Sequence, residues 1–441
     1  MGHVLRMTLT GATGITFVFI VDAANLFWIS QLGDPQLMAA IGFAFAIQFF
    51  SVSMGIGLMI AATALIARAI GAGRLMRARR QATGAILIAT TVMALVAALM
   101  VTFRHDLLAL AGAEGHTAAL AARYLAISMP SLTLMAVGMI ANAALRAQGD
   151  GRRSMFVTLI SGGITMIVDP VMIYGMSMGL DGAALGISLS RLVMASMALY
   201  FAISTHDLFA RPRLAHLGLT ARPYLAIALP AILTQMATPA GNYILTSVMA
   251  PYGDDAMAGW AVVGRLTVVA FGGIFSLAGA IGGIFGQNYG AREYARLRST
   301  YRDALIFALI YTLVAWGLLA ATGGLVAQGF DLGPDGAAVV RAFTHVGAGG
   351  FLFAAALFVS NSAFNAMGRP GRSTLSNWTR DGLLTLPLGM ALAAGFGAAG
   401  VIYAQALASV LVGCLACWWG WRFVQTLEHR HTASLPPRNR T

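Results

Sequence analysis

The chain has 441 residues, 58% of them hydrophobic and only 10% charged, with a mean hydropathy of +0.77. A soluble domain carries about 25% charged residues, so that class is excluded, and too little of the chain is polar for it to stay disordered. The net charge of +12 would suggest nucleic acid or an acidic partner in a soluble protein, but all 28 basic residues are arginine and their placement accounts for the charge without a polyanion.

Apolar runs of about 20 residues recur along the whole length, each long enough to cross the hydrocarbon core as a helix. Bounded by charge, Gly and Pro, they predict spans at 9–30, 38–64, 82–103, 117–142, 154–175, 182–204, 225–250, 256–286, 303–325, 341–366, 373–394 and 399–423. Met1 to Arg6 run directly into the first span, with no cleavable signal peptide evident. The short connections suit a compact all-α membrane bundle.

Arginine fixes the expected orientation. The second connection holds Arg68, Arg74, Arg77, Arg79 and Arg80, the fourth Arg146, Arg152 and Arg153, and the sixth Arg211, Arg213 and Arg222. The eighth holds Arg292, Arg296, Arg298 and Arg302, the tenth Arg369 and Arg372, and the C-terminus Arg422, Arg430, Arg438 and Arg440. On the other side fall only Arg104, Arg341 and Arg123, together with the acidic pair Asp254 and Asp255. Basic residues are retained in the cytoplasm, so both termini are expected there, in a bacterial inner membrane. An error of one span would scramble the alternation, which independently supports twelve.

The two halves repeat. ALRAQGDGRRS (144–154) matches AFNAMGRPGRS (363–373) with a shift of 219, and the same shift sets Gly71-Ala72 on Gly290-Ala291 and Met38-Ala39 on Met257-Ala258. Six spans per repeat preserve orientation, so the expected architecture is two six-helix lobes related by a pseudo-twofold along the membrane normal. The division is read as an N-terminal lobe at 1–205, a cytoplasmic linker at 206–224, a C-terminal lobe at 225–425 and a tail at 426–441. The linker contains His206, Arg211, Pro212 and His216. Two lobes joined by a polar linker favour alternating access over a merely duplicated stable bundle.

An ionisable side chain at membrane depth costs about 2.5–3.5 kcal/mol on insertion scales, so each demands an explanation. Asp22 and Asp169 lie at similar depth, roughly 9–12 Å below the outer surface at 1.5 Å rise per residue. Two desolvated carboxylates close together cannot both ionise comfortably, which is the physics of a proton-coupling site. Asn25 is one turn from Asp22, and Ser161 and Thr165 share the face of Asp169. Asp22 maps near Asn242, and Asp169-Pro170 onto Leu386-Pro387, so the acids belong to one lobe. The structural alternative is permanent neutralisation of Asp169 by Arg191. In the second half Arg265, Arg380 and Asp381 read as a static buried network, with Arg380 and Asp381 pairing with helix neighbours or with Arg265. Cys414 and Cys417 form a CxxC inside an apolar run with no partner cluster, and read as packing residues.

VDAANLFWISQLGDPQLMAA (21–40), ALRAQGDGRRS and VDPVMIYGMSMGLDGAALG (168–186), taken in this order and spacing, resemble the multidrug and toxic compound extrusion (MATE) family, of the multidrug/oligosaccharidyl-lipid/polysaccharide exporter superfamily. The resemblance implies a secondary antiporter, not an enzyme, that exports cationic amphipathic drugs in exchange for protons or sodium. It implies ion coupling at Asp22 and Asp169, joined by Asn25, Thr165 and Ser188. The family's asparagine before the second acid and threonine in span 6 are here Thr165 and Ile187, with Ser188 adjacent, which tilts the expectation from sodium towards protons. The proline usual early in span 1 is replaced by the region of Gly11 and Gly14, and the second lobe lacks the acids another branch uses. Gln235, Asn242 and Asn361, with Arg191, Arg265 and Arg380, are the remaining cavity candidates. No cofactor, resident metal or nucleic acid is expected; membrane lipids are the surroundings, and a monomer is the expected state. The rival readings are a lipid-linked oligosaccharide flippase, held by Arg191, Arg265 and Arg380, and a membrane-embedded enzyme, for which no HExxH or Gly-x-Ser-x-Gly motif appears.

Overall fold

In the absence of water at membrane depth, a backbone must satisfy its own hydrogen bonds, and this chain does so entirely with helices. The structure is a computed structural model that describes residues 2–212, 214–330 and 332–433. Arg213 and the tail residues Arg438 and Arg440 lie outside the described residues, as do the side chains of His216 and Arg430. Among the described residues there is no strand.

The first six spans are α1 (Gly2–Ser30), α2 (Pro35–Gly71), α3 (Leu75–Thr102), then a short surface helix α4 (Arg104–Leu110), the pair α5 (Gly115–Ser128) and α6 (Leu132–Gln148), α7 (Gly151–Pro170) and α8 (Gly179–Ser204). The second six are α9 (Leu214–Met249), α10 (Gly253–Gly290), α11 (Tyr294–Gly329), the pair α12 (Pro334–Ala342) and α13 (Ala348–Ala366), the pair α14 (Pro370–Trp378) and α15 (Thr385–Phe396), and α16 (Ala398–Ala433). Among the described residues twelve helical passes therefore stand where the sequence predicts them, but several are longer. α2 continues to Gly71 and α9 starts at Leu214, so the second part of the expected linker is helix. Charge marks where the hydrocarbon ends, whereas a helix continues into water while its side chains find partners. Thr220 and Tyr224 are both buried, and the Tyr224 hydroxyl donates to the Leu58 carbonyl at 2.8 Å. The first part, 205–212, is non-helical and held down by α3: Ala210 N–H donates to Thr83 Oγ1 at 2.9 Å, and Arg79 pairs with Asp207 at 2.7 Å.

Four passes are locally irregular. Pro130 sits in a 3₁₀ turn (Met129–Ser131) that breaks the fourth pass, and a π turn follows Pro170 (Val171–Gly175). Two more π turns interrupt the second half, at Phe343–Gly347 and Thr379–Leu384. A proline removes one backbone donor and pushes off the carbonyl four residues back, and a wider turn is one way to relieve this.

The chain forms two compact units. One comprises Thr13–Ile70 and Arg74–Met236; the other comprises Met1–Ala12, Gly71–Gly73 and Ala237–Thr441. Inside the first, α8 packs on α6, α7 and α5, and α3 packs on α6. Inside the second, α16 packs on α13 and α15, and α11 on α13, the same internal pattern. Lipid gives apolar side chains no reason to cluster, so close packing of small residues holds such a bundle. α6 shows it: Ala141, Ala143, Ala144 and Ala147 are fully buried.

The repeat is visible in the turns. Gly149 and Gly368, related by the shift of 219, both have left-handed φ (+90° and +78°) and close the same helix-terminating motif. Asp150 N–H reaches the Leu145 carbonyl at 3.0 Å, and Arg369 N–H reaches the Phe364 carbonyl at 2.8 Å.

Candidate functional site

α7 starts with a side-chain cap: Asp150 accepts from the backbone N–H of Arg153 at 3.0 Å. From there the helix carries Thr158, Gly162, Thr165 and Asp169 up one face. α1 lies along that face, because small residues let the backbones approach. A Cβ on Gly162 would sit 2.9 Å from the Phe17 ring and 3.0 Å from Val21, and one on Gly14 would meet Thr158 at 3.6 Å. Higher up, Asn25 Nδ2 donates to Asp169 Oδ2 at 2.6 Å. At the top the Tyr174 hydroxyl donates to the Trp28 carbonyl, and the two rings meet edge-on at 6.4 Å. The pairs 14/158 and 25/169 share one offset of 144, so α1 and α7 run side by side in register.

Asp169 is 1% exposed. Its Oδ2 is held by Asn25, but Oδ1 is buried with no hydrogen-bond partner among the described residues. Oδ1 faces α8 at Gly186, where a Cβ would collide with it. Asp22 lies one turn below Asn25, is exposed, and makes no ion pair among the described residues. Tyr124 is fully buried, and the charges of Arg191, Asp169 and Asp22 act on it. Thr165 is buried one turn before Asp169 and donates to the Ser161 carbonyl at 2.8 Å; Ser188 donates to the Ala184 carbonyl at 2.9 Å. Both hydroxyls spend their proton on their own helix and present only lone pairs outward.

Arg191 does not pair with Asp169. It is buried and donates to the Ser128 carbonyl at 3.1 Å and to Ser131 Oγ at 2.7 Å, closing the break that Pro130 makes in the fourth pass. The structural alternative of a neutralised Asp169 is therefore replaced by an arginine that serves an irregular backbone.

In the second unit the expected network takes a different form. Arg380 donates to Asp381 through two nitrogens, Nε to Oδ1 at 2.7 Å and Nη2 to Oδ2 at 2.8 Å. Arg265 is exposed and makes no ion pair with either among the described residues. Asn242 is exposed on α9, Gln235 is half-buried, and Asn361 is buried with Oδ1 unpartnered among the described residues. His345 lies in a π turn and is exposed. Cys414 and Cys417 are free, and no cluster of metal-ligating side chains occurs among the described residues.

Sequence reasoning missed Gly186, Tyr124 and the pair Trp28 and Tyr174. Gly186 closes the VDPVMIYGMSMGLDGAALG stretch that carries the family resemblance, and an aromatic near the C-terminal end of the first and of the fifth pass was a visible signal.

Twelve helical passes in two repeats, with acids at membrane depth in the first, define a multi-pass membrane protein of transporter architecture. The MatE family model matches the chain twice in tandem, over residues 12–171 and 230–391, and the chain belongs to this family. Curated relatives include the "FAD transporter" of Shewanella oneidensis, 26% identical over 94% of this chain and 93% of that protein. Another is the "Multidrug export protein MepA" of Staphylococcus aureus, 23% identical over 93% of this chain and 91% of that protein. Among solved structures, a Vibrio cholerae MATE transporter, VcmN, superposes with a TM-score of 0.91 at 22% identity, covering 96% of each chain.

Proposed function

We propose that this protein is a secondary antiporter of a bacterial inner membrane, with both termini cytoplasmic, that exports cationic amphipathic compounds in exchange for protons. The observation that carries the reading is Asp169. A carboxyl group buried at membrane depth, fixed through one oxygen by Asn25 and unpaired at the other, is costly to maintain unless its charge changes during work. A proton on Oδ1 neutralises it; loss of that proton leaves a negative group beside the exposed Asp22, which attracts a cationic cargo or a sodium ion. Thr165 adds acceptor lone pairs to the same neighbourhood, which keeps sodium as the alternative ion; Ser188, two residues from Gly186 on α8, points away from it. Exchange follows because proton and cation compete for one charge, and each biases the equilibrium between states only by its differential affinity for them.

The test is ethidium efflux from everted vesicles under an imposed proton gradient and, separately, a sodium gradient. Asp169→Asn and Asp22→Asn should each abolish proton-driven efflux while the protein remains in the membrane. Full efflux in both variants refutes the site. A sodium requirement in the wild type keeps the site and changes the ion.

A second reading, export of a flavin nucleotide, is favoured by the relation to the Shewanella oneidensis protein. The flippase reading is weakened, since it needs several free cations together, whereas Arg191 is spent on the irregular backbone around Pro130.

A further inference from the structure

The ion pair in the fourteenth and fifteenth helices' connection has a chemistry that the coupling site does not use. Arg380 and Asp381 are neighbours in sequence, and neighbours on an α-helix point about 100° apart and do not face each other. Here they lie in the π turn Thr379–Leu384, and the wider turn lets one guanidinium grip the next residue's carboxylate through two bonds. Thr385 Oγ1 caps the Arg380 carbonyl at 2.7 Å and fixes the turn. Such single-turn π segments frequently mark functional sites.

The pair is unequal. Both oxygens of Asp381 are occupied by Arg380, and Oδ2 also receives Thr238 Oγ1 at 3.4 Å. Arg380 has five N–H donors and gives two of them to Asp381. Its Nη1 is engaged by no other residue among those described. Both oxygens of the acid are engaged by Arg380 while the guanidinium keeps N–H donors in hand, so the ligand that gains most here is an acceptor. The Arg380 guanidinium also lies 5.8 Å over the Phe358 ring, which has Phe275 beside it at 5.9 Å.

The neighbourhood reaches an unburied polar face. α9 passes so close that a Cβ on Gly241 would lie 2.8 Å from Asp381 Cβ, and the adjacent Thr238 and Asn242, one turn apart, are both exposed.

We propose that Arg380 is an anchor for a phosphate or carboxylate group carried on an aromatic cargo, and that Asp381 is its built-in competitor, occupying the guanidinium until the oxyanion displaces it. The inference rests on the second reading above. It is tested by equilibrium binding to detergent-purified protein: failure of the wild type to bind the phosphate ester refutes that reading, whereas binding that does not respond to the two substitutions refutes the anchor alone.

The probes are riboflavin 5′-phosphate and riboflavin, which differ only in the phosphate, followed by flavin fluorescence. A charge-assisted pair contributes about 10- to 100-fold in affinity. Arg380→Gln should therefore weaken the phosphate ester by about 10-fold or more, and leave riboflavin unchanged. Asp381→Asn should act in the opposite direction and tighten the ester by roughly 5-fold or more. A static structural pair makes a different prediction, since either change would then weaken both probes alike. That outcome, or an unchanged ratio between the two probes, overturns the proposal. Where Asp381→Asn does not yield folded protein, Arg380→Lys decides. Ester affinity kept within about 10-fold of wild type in Lys but lost in Gln supports the anchor, and equal affinity in Lys and Gln overturns it.

Discussion

Gly186 matters because of what is absent from it. A methyl group there would run into Asp169 Oδ1, and the carboxylate cannot move far while Asn25 holds Oδ2. Gly186→Ala is expected to lower stability by about 1–3 kcal/mol, as overpacking of a tight site does. Ethidium efflux should fall to background in the variant, and a melting curve in detergent shows how much of the loss is folding. Asp150, at the N-terminal cap of α7, is a different case. Partial burial pushes its carboxyl up, but hydrogen bonds from His206 and Arg153, with the Arg153 charge, win and hold it below the ordinary carboxylate range. The stability it contributes is therefore fully present above the unfolded value near 3.8, and is lost as pH falls through the lower folded value. Asp150→Ala should cost about 1 kcal/mol at neutral pH through the lost cap, and the gap in melting temperature between variant and wild type should narrow only in strong acid. At this scale the sequence was partly legible. Intramembrane acids stand out because they are expensive, so Asp22 and Asp169 could be singled out directly. The partner of Arg191 could not, because it depends on where Pro130 breaks a helix and which carbonyl that break exposes.

At the scale of helices, the second half reuses the first half's turns with altered residues. Gly73 and Arg292 are related by the shift of 219 and both have left-handed φ, +70° and +61°. The N–H that follows closes the same turn in each, Arg74 to the Ala69 carbonyl and Glu293 to the Asn288 carbonyl, both at 2.9 Å. Glycine adopts this conformation without strain and arginine does not. Gly73→Ala should destabilise by about 1 kcal/mol, while Arg292→Gly should be neutral or stabilising. Opposite signs in two melting curves would confirm that one turn is relaxed and its copy strained. Helix number and order were legible, because hydropathy and the arginine alternation report where the hydrocarbon begins and ends. Helix length was not: α9 extends back to Leu214, where partners such as the Leu58 carbonyl reward a helix beyond the apolar run. The π turns were equally hidden, since only one of the three directly follows a proline.

For the molecule as a whole, duplication explains what is shared and divergence explains the chemistry. The family match falls once in each half, and each unit packs its sixth pass against its fourth and fifth. The halves then part. In the first, the pass-one helix α1 presents Asn25 to Asp169 on the fifth pass. In the second, the equivalent helix α9 presents Thr238 to Asp381 on the equivalent pass, several residues earlier along it and already bound to Arg380. The same pair of helices thus carries an unneutralised acid in one half and a neutralised one in the other, a difference between two sites that hydropathy alone does not record.

The Asn25–Asp169 bond also sets a problem of timing. Its two ends are 144 residues apart in the chain. At synthesis rates of about 5–20 residues per second, roughly 7–30 s separate the emergence of one partner from the other. Throughout that interval α1 must enter and remain in the bilayer with an aspartate and an asparagine whose counterpart has not yet been made. Its apolar stretch Phe17–Val21 is what can hold it there. α1 therefore has to keep its place in the bilayer on its own apolar surface until the fifth pass arrives.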